Sequence, residues 1–347
     1  MKETIELNHS ISMKKNPNSG IEILKVILTF FILVYHCNYK NSYNNEILNI
    51  FNHIVPFYFS TYSVIFFYFS YNILSSKNII RIKQRLLRLL IPYIFWPLIF
   101  SVMHILSYKK KINPNYLIRD ISIQLILGRR IYFVFWLQFN LIMSFLLISI
   151  IFLFFKKYHL YIFQSLFLME FILEYSGNND KFFELFNEDI KRSVGRILKM
   201  MVIALAGFLL SSIKMLNFLK NHKIKSICFT LASFTLIIYL NLFYSNFYFL
   251  EGIYLILGSI FLIIPFAFLP LNKITNMKII FLIKQWTSYT AGIYYLHIKV
   301  QNYFGKNIII MRDRTLRGCI FNYLICYSIC FFGMKLFRRT KFKYLFI

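Results

Sequence analysis

The composition of this 347-residue chain excludes a soluble globular protein, because 58% of its residues are hydrophobic and only 15% are charged, whereas soluble domains are about 45–50% apolar. A net charge of +27 is often a sign of nucleic-acid binding. Here the basic residues stand mostly between apolar runs, so anionic lipid and membrane topology explain them better, and no nucleic-acid partner is expected. The five cysteines form no CxxC pair, so neither a metal site nor a disulfide framework is predicted.

The apolar runs along the chain predict membrane spans, each of which needs about twenty residues as a helix. The fifth run is short, and the ninth is interrupted by Lys284, Gln285 and a cluster of Thr and Ser. Tyr116–Leu127 is apolar but too short to span, so it would lie in the interface or re-enter the membrane. The sequence thus predicts an all-α integral membrane protein, a bundle of about ten transmembrane helices. The predicted spans are 22–39, 53–74, 87–107, 131–155, 159–175, 197–217, 226–244, 249–270, 279–298 and 317–337.

The polar ends of the chain divide it into three parts. We expect a polar N-terminal segment over 1–20, one membrane domain over 21–337 and a basic tail over 338–347. An even number of spans places both termini on one side of the membrane. Lys and Arg are somewhat more frequent in the termini and in the loops on that side, and positive loops remain in the cytoplasm. We therefore expect a multi-pass protein of the cell (inner) membrane with both termini cytoplasmic.

The first predicted span carries three ionisable side chains, Glu22, Lys25 and His36. The separation of Lys25 and His36 is close to three helical turns, so both lie on one face, about 16 Å apart along the axis. Ionisable groups in a span usually face a cavity or a partner, and neutral histidine is a natural general base. The alternative is structural: Lys25 snorkels to the interface and His36 bonds to a carbonyl. Spacing alone slightly favours this alternative.

Two arginines stand at the cytoplasmic mouth of the third predicted span. Arg85 and Arg88 are one turn apart on the same helix face. Arginine binds phosphate through a bidentate fork, so the pair could hold a phosphorylated substrate. It could equally be a positive anchor that fixes topology, and the sequence leaves both interpretations open.

The ninth predicted span contains a hydroxyl-rich run that ends in histidine. Ser288, Tyr294 and His297 lie in this run, together with a glycine. Small and hydroxylated residues allow close helix packing and can line a polar cavity. Each residue taken singly is also explained by ordinary helix packing.

These features, in this order along the chain, resemble the motifs of the acyltransferase-3 family of multi-pass membrane O-acyltransferases. The family begins with a helix in which an acidic residue is followed by Arg or Lys and, after ten further residues, by His. Its later motifs are a Phe-rich span ending in Ser-Gly, an Arg-x-x-Arg before Leu-Ile-Pro-Tyr and Trp, a Trp-Leu pair, and a Ser/Thr-x-x-x-Gly-Ile-Tyr-x-x-His run. The corresponding positions, within about residues 20–337, are Glu22, Lys25 and His36, then Phe66–Ser70, Arg85–Trp96, Trp136 with Leu137, and Ser288–His297.

The chain departs from the family pattern at three places. Lys25 stands where Arg is commonest, which keeps the charge but loses the planar fork. Tyr71 stands where the family has Gly. Val134 and Phe135 precede Trp136 without the His often found there.

The resemblance implies transfer of an acyl group, usually acetyl, from acyl-CoA to a hydroxyl of a surface or exported glycan. His36 would be the catalytic base, and acyl-CoA would be a co-substrate, with no tightly bound cofactor. The other partners would be a glycan or lipid-linked saccharide acceptor and membrane lipids. No Cys or Ser stands beside a base in a pattern that suggests an acyl-enzyme, which favours direct transfer. The expected substrate-binding residues are Lys25, Glu22, Arg85, Arg88, Trp136, Ser288, Tyr294 and His297.

Two other functions fit the composition and the predicted spans. One is a transporter or flippase for a lipid-linked glycan or a small solute, although paired spans broken by Gly or Pro in two halves are not evident. The other is a non-catalytic assembly partner of a polysaccharide synthase.

Overall fold

The computed structural model describes residues 19–38, 46–107, 114–127, 135–155, 188–211, 221–243, 251–267, 277–304 and 316–346, with a few positions between 158 and 169. All regular structure in these ranges is helical, which confirms the predicted all-α class. The elements are α1 (Ser19–Asn38), α2 (Glu46–Ser75), α3 (Ile79–Ser107), α4 (Pro114–Leu127), α5 (Phe135–Phe154), α6 (Glu188–Ser211), α7 (Lys223–Phe243), α8 (Glu251–Ala267), α9 (Met277–Ser288), α10 (Thr290–Phe304), α11 (Leu316–Leu336) and a 3₁₀ helix (Lys341–Leu345).

Four of the described helices are long and apolar enough to cross a membrane. The count of about ten spans is not confirmed and stays a prediction. The fifth predicted span, 159–175, and the N-terminal segment lie mostly outside the described residues. The four candidate spans are Ile79–Val102, Phe135–Phe154, Ser193–Ser211 and Arg317–Leu336.

The ninth predicted span, 279–298, is two helices and not one. α9 ends at Ser288, Tyr289 forms a turn, and α10 begins at Thr290. At this break Thr290 Oγ1 donates a hydrogen bond to the Thr287 carbonyl at 2.9 Å. Hydroxyl groups that bond to nearby carbonyls compete with the helical backbone pattern. With 12 and 15 residues, neither helix alone has the length of a span.

Helix α2 lies at the centre of the packing and contacts α1, α6 and α8. Helix α1 also packs against α9 and α10, and α3 packs against α5. Large aromatic side chains fill the interior: Phe57, Phe67 and Phe145 are fully buried. Phe67 meets Phe208 of α6 edge to face, with ring centroids 6.0 Å apart. This packing brings α1 and α10 side by side, and the candidate site lies between them.

Gly207 sets the distance between α2 and α6. A Cβ added there would lie 2.7 Å from the Val64 carbonyl oxygen and 2.8 Å from the Tyr68 nitrogen. Both are backbone atoms, so Gly207→Ala would push the helices apart. We expect the change to cost about 1–3 kcal/mol, the usual cost of overpacking, measured as a lower melting temperature of the detergent-solubilised protein. Gly195→Ala in the same helix is the control, because nothing lies within 4 Å of its added Cβ. Equal melting temperatures for the two variants would refute a tight α2–α6 contact.

The C-terminal segment returns to the helix bundle. Trp96 Nε1 donates to the Leu345 carbonyl at 2.9 Å. Leu345 and Phe346 are buried, and the Phe346 ring stacks on Phe337 at 5.9 Å. The basic residues predicted as a tail are therefore carried by a segment that is anchored to α3 and α11 through its apolar side chains.

Candidate functional site

Two groups of polar side chains lie at opposite ends of α1. One surrounds Lys25 and is called the Lys25 end; the other surrounds His36 and is called the His36 end. Lys25 and His36 are eleven positions apart in the sequence, which corresponds to about 16 Å along the helix axis. The residues predicted from sequence to act chemically are distributed mainly between these two ends.

The His36 end contains a pair of histidines. The rings of His36 on α1 and His297 on α10 have centroids 5.1 Å apart and are tilted by 37°. His297 is 1% exposed and His36 is partly buried, so the contact between the two rings lies inside the protein. The sequence assigned these residues separately, one to catalysis and one to substrate binding, and the structure places them in contact.

The His297 ring is bonded within its own helix, and the His297 backbone is bonded to α11. Nδ1 lies 2.6 Å from the Tyr294 carbonyl oxygen. A carbonyl only accepts hydrogen bonds, so Nδ1 carries the hydrogen and Nε2 of the neutral ring keeps a lone pair. Asn322 Nδ2 donates to the His297 carbonyl at 3.1 Å and to Gln301 Oε1 at 3.0 Å. His297 Nε2 is buried and has no hydrogen-bond partner among the described residues.

Aromatic side chains surround the histidine pair. Phe59 of α2 lies 6.4 Å from His36 and 5.8 Å from Trp136 between ring centroids. The Phe59 ring therefore lies between Trp136 and His36. The ring of Tyr294, which is also buried, lies 5.8 Å from that of His297. The guanidinium of Arg196 lies 5.0 Å above Trp136, and no sequence pattern had singled out this arginine.

Three of the predicted substrate-binding residues, Glu22, Lys25 and Arg85, lie together at the Lys25 end. Lys25 Nζ lies 3.2 Å from both carboxylate oxygens of Glu22, so much of its charge is already compensated. Arg85 donates from Nη2 to the Phe66 carbonyl at 2.9 Å and lies 4.3 Å above the Phe66 ring. Arg85 is close enough to Lys25 for their positive charges to interact. Lys25 and Arg85 thus form a cationic cluster at this end, in which Lys25 is paired with Glu22 and Arg85 has no carboxylate partner among the described residues.

Arg88 and Ser288 lie away from this interior cluster. Arg88 is exposed, and its guanidinium lies 5.6 Å from the ring centroid of Tyr344 in the C-terminal segment. It still interacts electrostatically with Arg85. Ser288 is exposed and donates to the Gln285 carbonyl of its own helix at 2.6 Å. The Ser288 side chain is therefore directed to the surface, although its neighbour Thr287 donates to the Glu22 carbonyl at 3.2 Å and sequence reasoning predicted substrate binding for Ser288.

Tyr62 lies between the two ends and was missed by sequence reasoning. Its hydroxyl is 3.3 Å from Thr290 Oγ1, at the break between α9 and α10. It interacts electrostatically with Glu22 and Arg85 on one side and with Tyr294 on the other. In a chain with 25 tyrosines, no local pattern distinguishes this one. Tyr62 thus connects the polar residues of the two ends through the interior.

The chemistry available to the site is that of bases and cations. In the part of the chain that the structure describes, no three His, Cys, Asp or Glu side chains are grouped as metal ligands. The His36 end offers imidazole nitrogens for proton transfer, and the Lys25 end offers a guanidinium for an anion.

Comparison of the chain with family models, curated proteins and solved structures finds no match to any of them. The acyltransferase-3 resemblance therefore stays a prediction from the residues.

Proposed function

We propose that this protein is a membrane O-acyltransferase of the acyltransferase-3 type, which transfers an acyl group, in the simplest case acetyl, from acyl-CoA to a glycan hydroxyl. The observation that carries the proposal is the pairing of a cationic cluster with a histidine pair at the two ends of one helix. Their separation of about 16 Å is similar to the reach of the pantetheine arm of CoA. Phosphates held at the Lys25 end would place the thioester near His36.

The proposed reaction is a direct transfer. His36 accepts the proton of the acceptor hydroxyl as the hydroxyl oxygen attacks the thioester carbonyl carbon. The new carbon–oxygen bond forms, the carbon–sulfur bond breaks, and the proton passes from His36 to the leaving thiolate. The products are an O-acyl glycan and free CoA, and His36 returns to its neutral form.

Arg85 is the main donor-binding residue in this scheme. Lys25 is paired with Glu22, so its charge is less available to a phosphate than that of Arg85. Arg88 is exposed at the same end of the bundle and would meet the more distant phosphates. Trp136, with Arg196 above its ring, would face the acceptor sugar, because the indole ring offers an apolar face and the guanidinium offers donors for hydroxyl oxygens.

The proposal includes the predicted membrane architecture of about ten spans with cytoplasmic termini in the cell (inner) membrane. The Lys25 end would then face the cytoplasm, where acyl-CoA is made, and the His36 end would face the outer side. Reporter fusions after Lys77 and Phe218 should report the cytoplasm, and fusions after Asn113 and Lys306 should report the outer side. If the fusions after Lys77 and Asn113 report the same side, α3 does not cross the membrane and this topology is wrong.

The activity is tested with membranes from cells that express the chain. Incubation with acetyl-CoA labelled in the acetyl group should place label in a glycan fraction, from which mild base releases it. Membranes that lack the protein are the control. Absence of transfer in folded, correctly inserted protein would contradict the proposal.

One observation favours the alternative of a transporter or flippase for a lipid-linked glycan or a small solute. The break between α9 and α10 at Tyr289 lies beside buried polar groups, and broken helices are typical of transporter sites. Movement of a labelled lipid-linked saccharide across reconstituted vesicles, without any acetyl transfer, would support that alternative.

A further inference from the structure

The two ring nitrogens of His297 differ in their hydrogen bonding. His297 Nδ1 is committed to the Tyr294 carbonyl, so its Nε2 keeps a lone pair and acts only as an acceptor in the neutral ring. That atom is buried and has no hydrogen-bond partner among the described residues. A buried acceptor without a donor is unfavourable, which indicates that a donor group belongs beside it.

The neighbouring ring that can supply such a donor is that of His36. In this structure His297 Nε2 accepts no hydrogen bond from His36. With the ring centroids 5.1 Å apart, a rotation of the His36 ring or one bridging water would join the two rings. A neutral histidine carries one hydrogen on its two ring nitrogens. If that hydrogen points to His297, the other nitrogen of His36 keeps its lone pair and can accept a proton from a substrate.

We propose that His297 is a positioning residue whose Nε2 accepts a hydrogen bond from His36 and holds His36 in the tautomer that base catalysis requires. This inference deepens the proposed acyl transfer and rests on it for its catalytic consequence, while the tautomer itself is a property of the resting protein. His297 then acts through His36 and does not bind the acceptor sugar directly, contrary to the role predicted from sequence.

The supports of His297 fit an orienting role. Its helix is tied to α11 by Asn322, which donates to the His297 carbonyl. Its ring is tied to the Tyr294 carbonyl one turn earlier. With the main chain held by Asn322 and the ring held at Nδ1, Nε2 points away from the Tyr294 carbonyl. When His36 takes up a proton, the neutral His297 stabilises it as an acceptor; two adjacent imidazolium charges would repel.

Two substitutions at the same position separate orientation from packing. His297→Leu keeps a similar bulk but replaces the imidazole by an apolar side chain without an acceptor, whereas His297→Gln offers a side-chain carbonyl oxygen as a replacement acceptor. We expect His297→Leu to lower the acylation rate at saturating acetyl-CoA by roughly 10- to 100-fold, by analogy with the loss of groups that orient metal-binding histidines. His297→Gln should lose clearly less, and the KM for acetyl-CoA should stay unchanged in both. Equal losses in the two variants, or a full rate in His297→Leu, would overturn the proposal.

The tautomer is measured directly and without any substrate. The chain contains seven histidines, so protein labelled with ¹⁵N-histidine gives few signals, and His36→Gln identifies those of His36. The nitrogen shifts of His36 should indicate one tautomer in the wild type and a mixture in His297→Leu. An unchanged tautomer in His297→Leu would refute the inference even if acylation were observed. Absence of acylation in the wild type, with the tautomer changed as expected, would refute the proposed function and leave the histidine contact in place.

Discussion

His36→Gln should abolish detectable glycan acylation while the protein remains in the membrane at normal abundance. Glutamine keeps a similar size and some hydrogen bonding but cannot accept a proton near neutral pH. General-base assistance contributes about 10²–10⁴-fold to the rate, so the residual activity should fall below the background of the labelled acetyl-CoA assay. The loss should appear in the rate at saturating acetyl-CoA, because the Lys25 end of the site is unchanged.

The control for this change is His222→Gln. His222 is exposed at the start of α7 and far along the chain from either end of the site, so its replacement should leave acylation intact. Near-normal acylation by His36→Gln would make His36 a structural residue and remove the proposed mechanism. The helical architecture would be unaffected by that result.

Arg85→Ala should weaken acetyl-CoA binding about tenfold or more. The loss of one charge-assisted hydrogen bond typically costs about 1.5–3 kcal/mol, and Arg85 is the cation at the Lys25 end that no described carboxylate compensates. The measurement is the affinity of the purified, detergent-solubilised protein for acetyl-CoA. Arg85→Lys should recover only part of the affinity, because it keeps the charge and loses the planar fork.

Arg81→Ala is the matched control for Arg85, because Arg81 is exposed one turn earlier on the same helix. Arg85 also donates to the Phe66 carbonyl, so the melting temperature of each variant must be compared with that of the wild type. Arg88→Ala should give a smaller loss, since Arg88 is exposed to solvent that screens its charge. Unchanged acetyl-CoA affinity in both Arg85→Ala and Arg88→Ala would show that the two arginines do not bind the donor and only help to fix the membrane topology.

The sequence by itself determined the helical class and the local geometry of each helix. Apolar runs of the length of a span predicted helices because hydrogen-bonded backbone is required wherever apolar side chains exclude water. The period of 3.6 residues placed Lys25 and His36 on one face, and the spacing of Glu22 and Lys25 allowed the ion pair that the structure contains. These are properties of neighbours within one helix, which is why the sequence was sufficient for them.

Only the tertiary structure decided which helices meet. His36 and His297 are distant in sequence, and their contact depends on α10 packing beside α1. The position of Tyr62 between the two ends, the place of Arg196 above Trp136 and the exposure of Ser288 also follow from packing. Hydropathy averages over about twenty residues, so it treated 279–298 as one span and could not show that hydroxyl groups bond to the backbone at the break. Long-range contacts of single side chains carry no local periodic signal, and for that reason only the structure could show the contact between the two histidines on which the proposed division of roles rests.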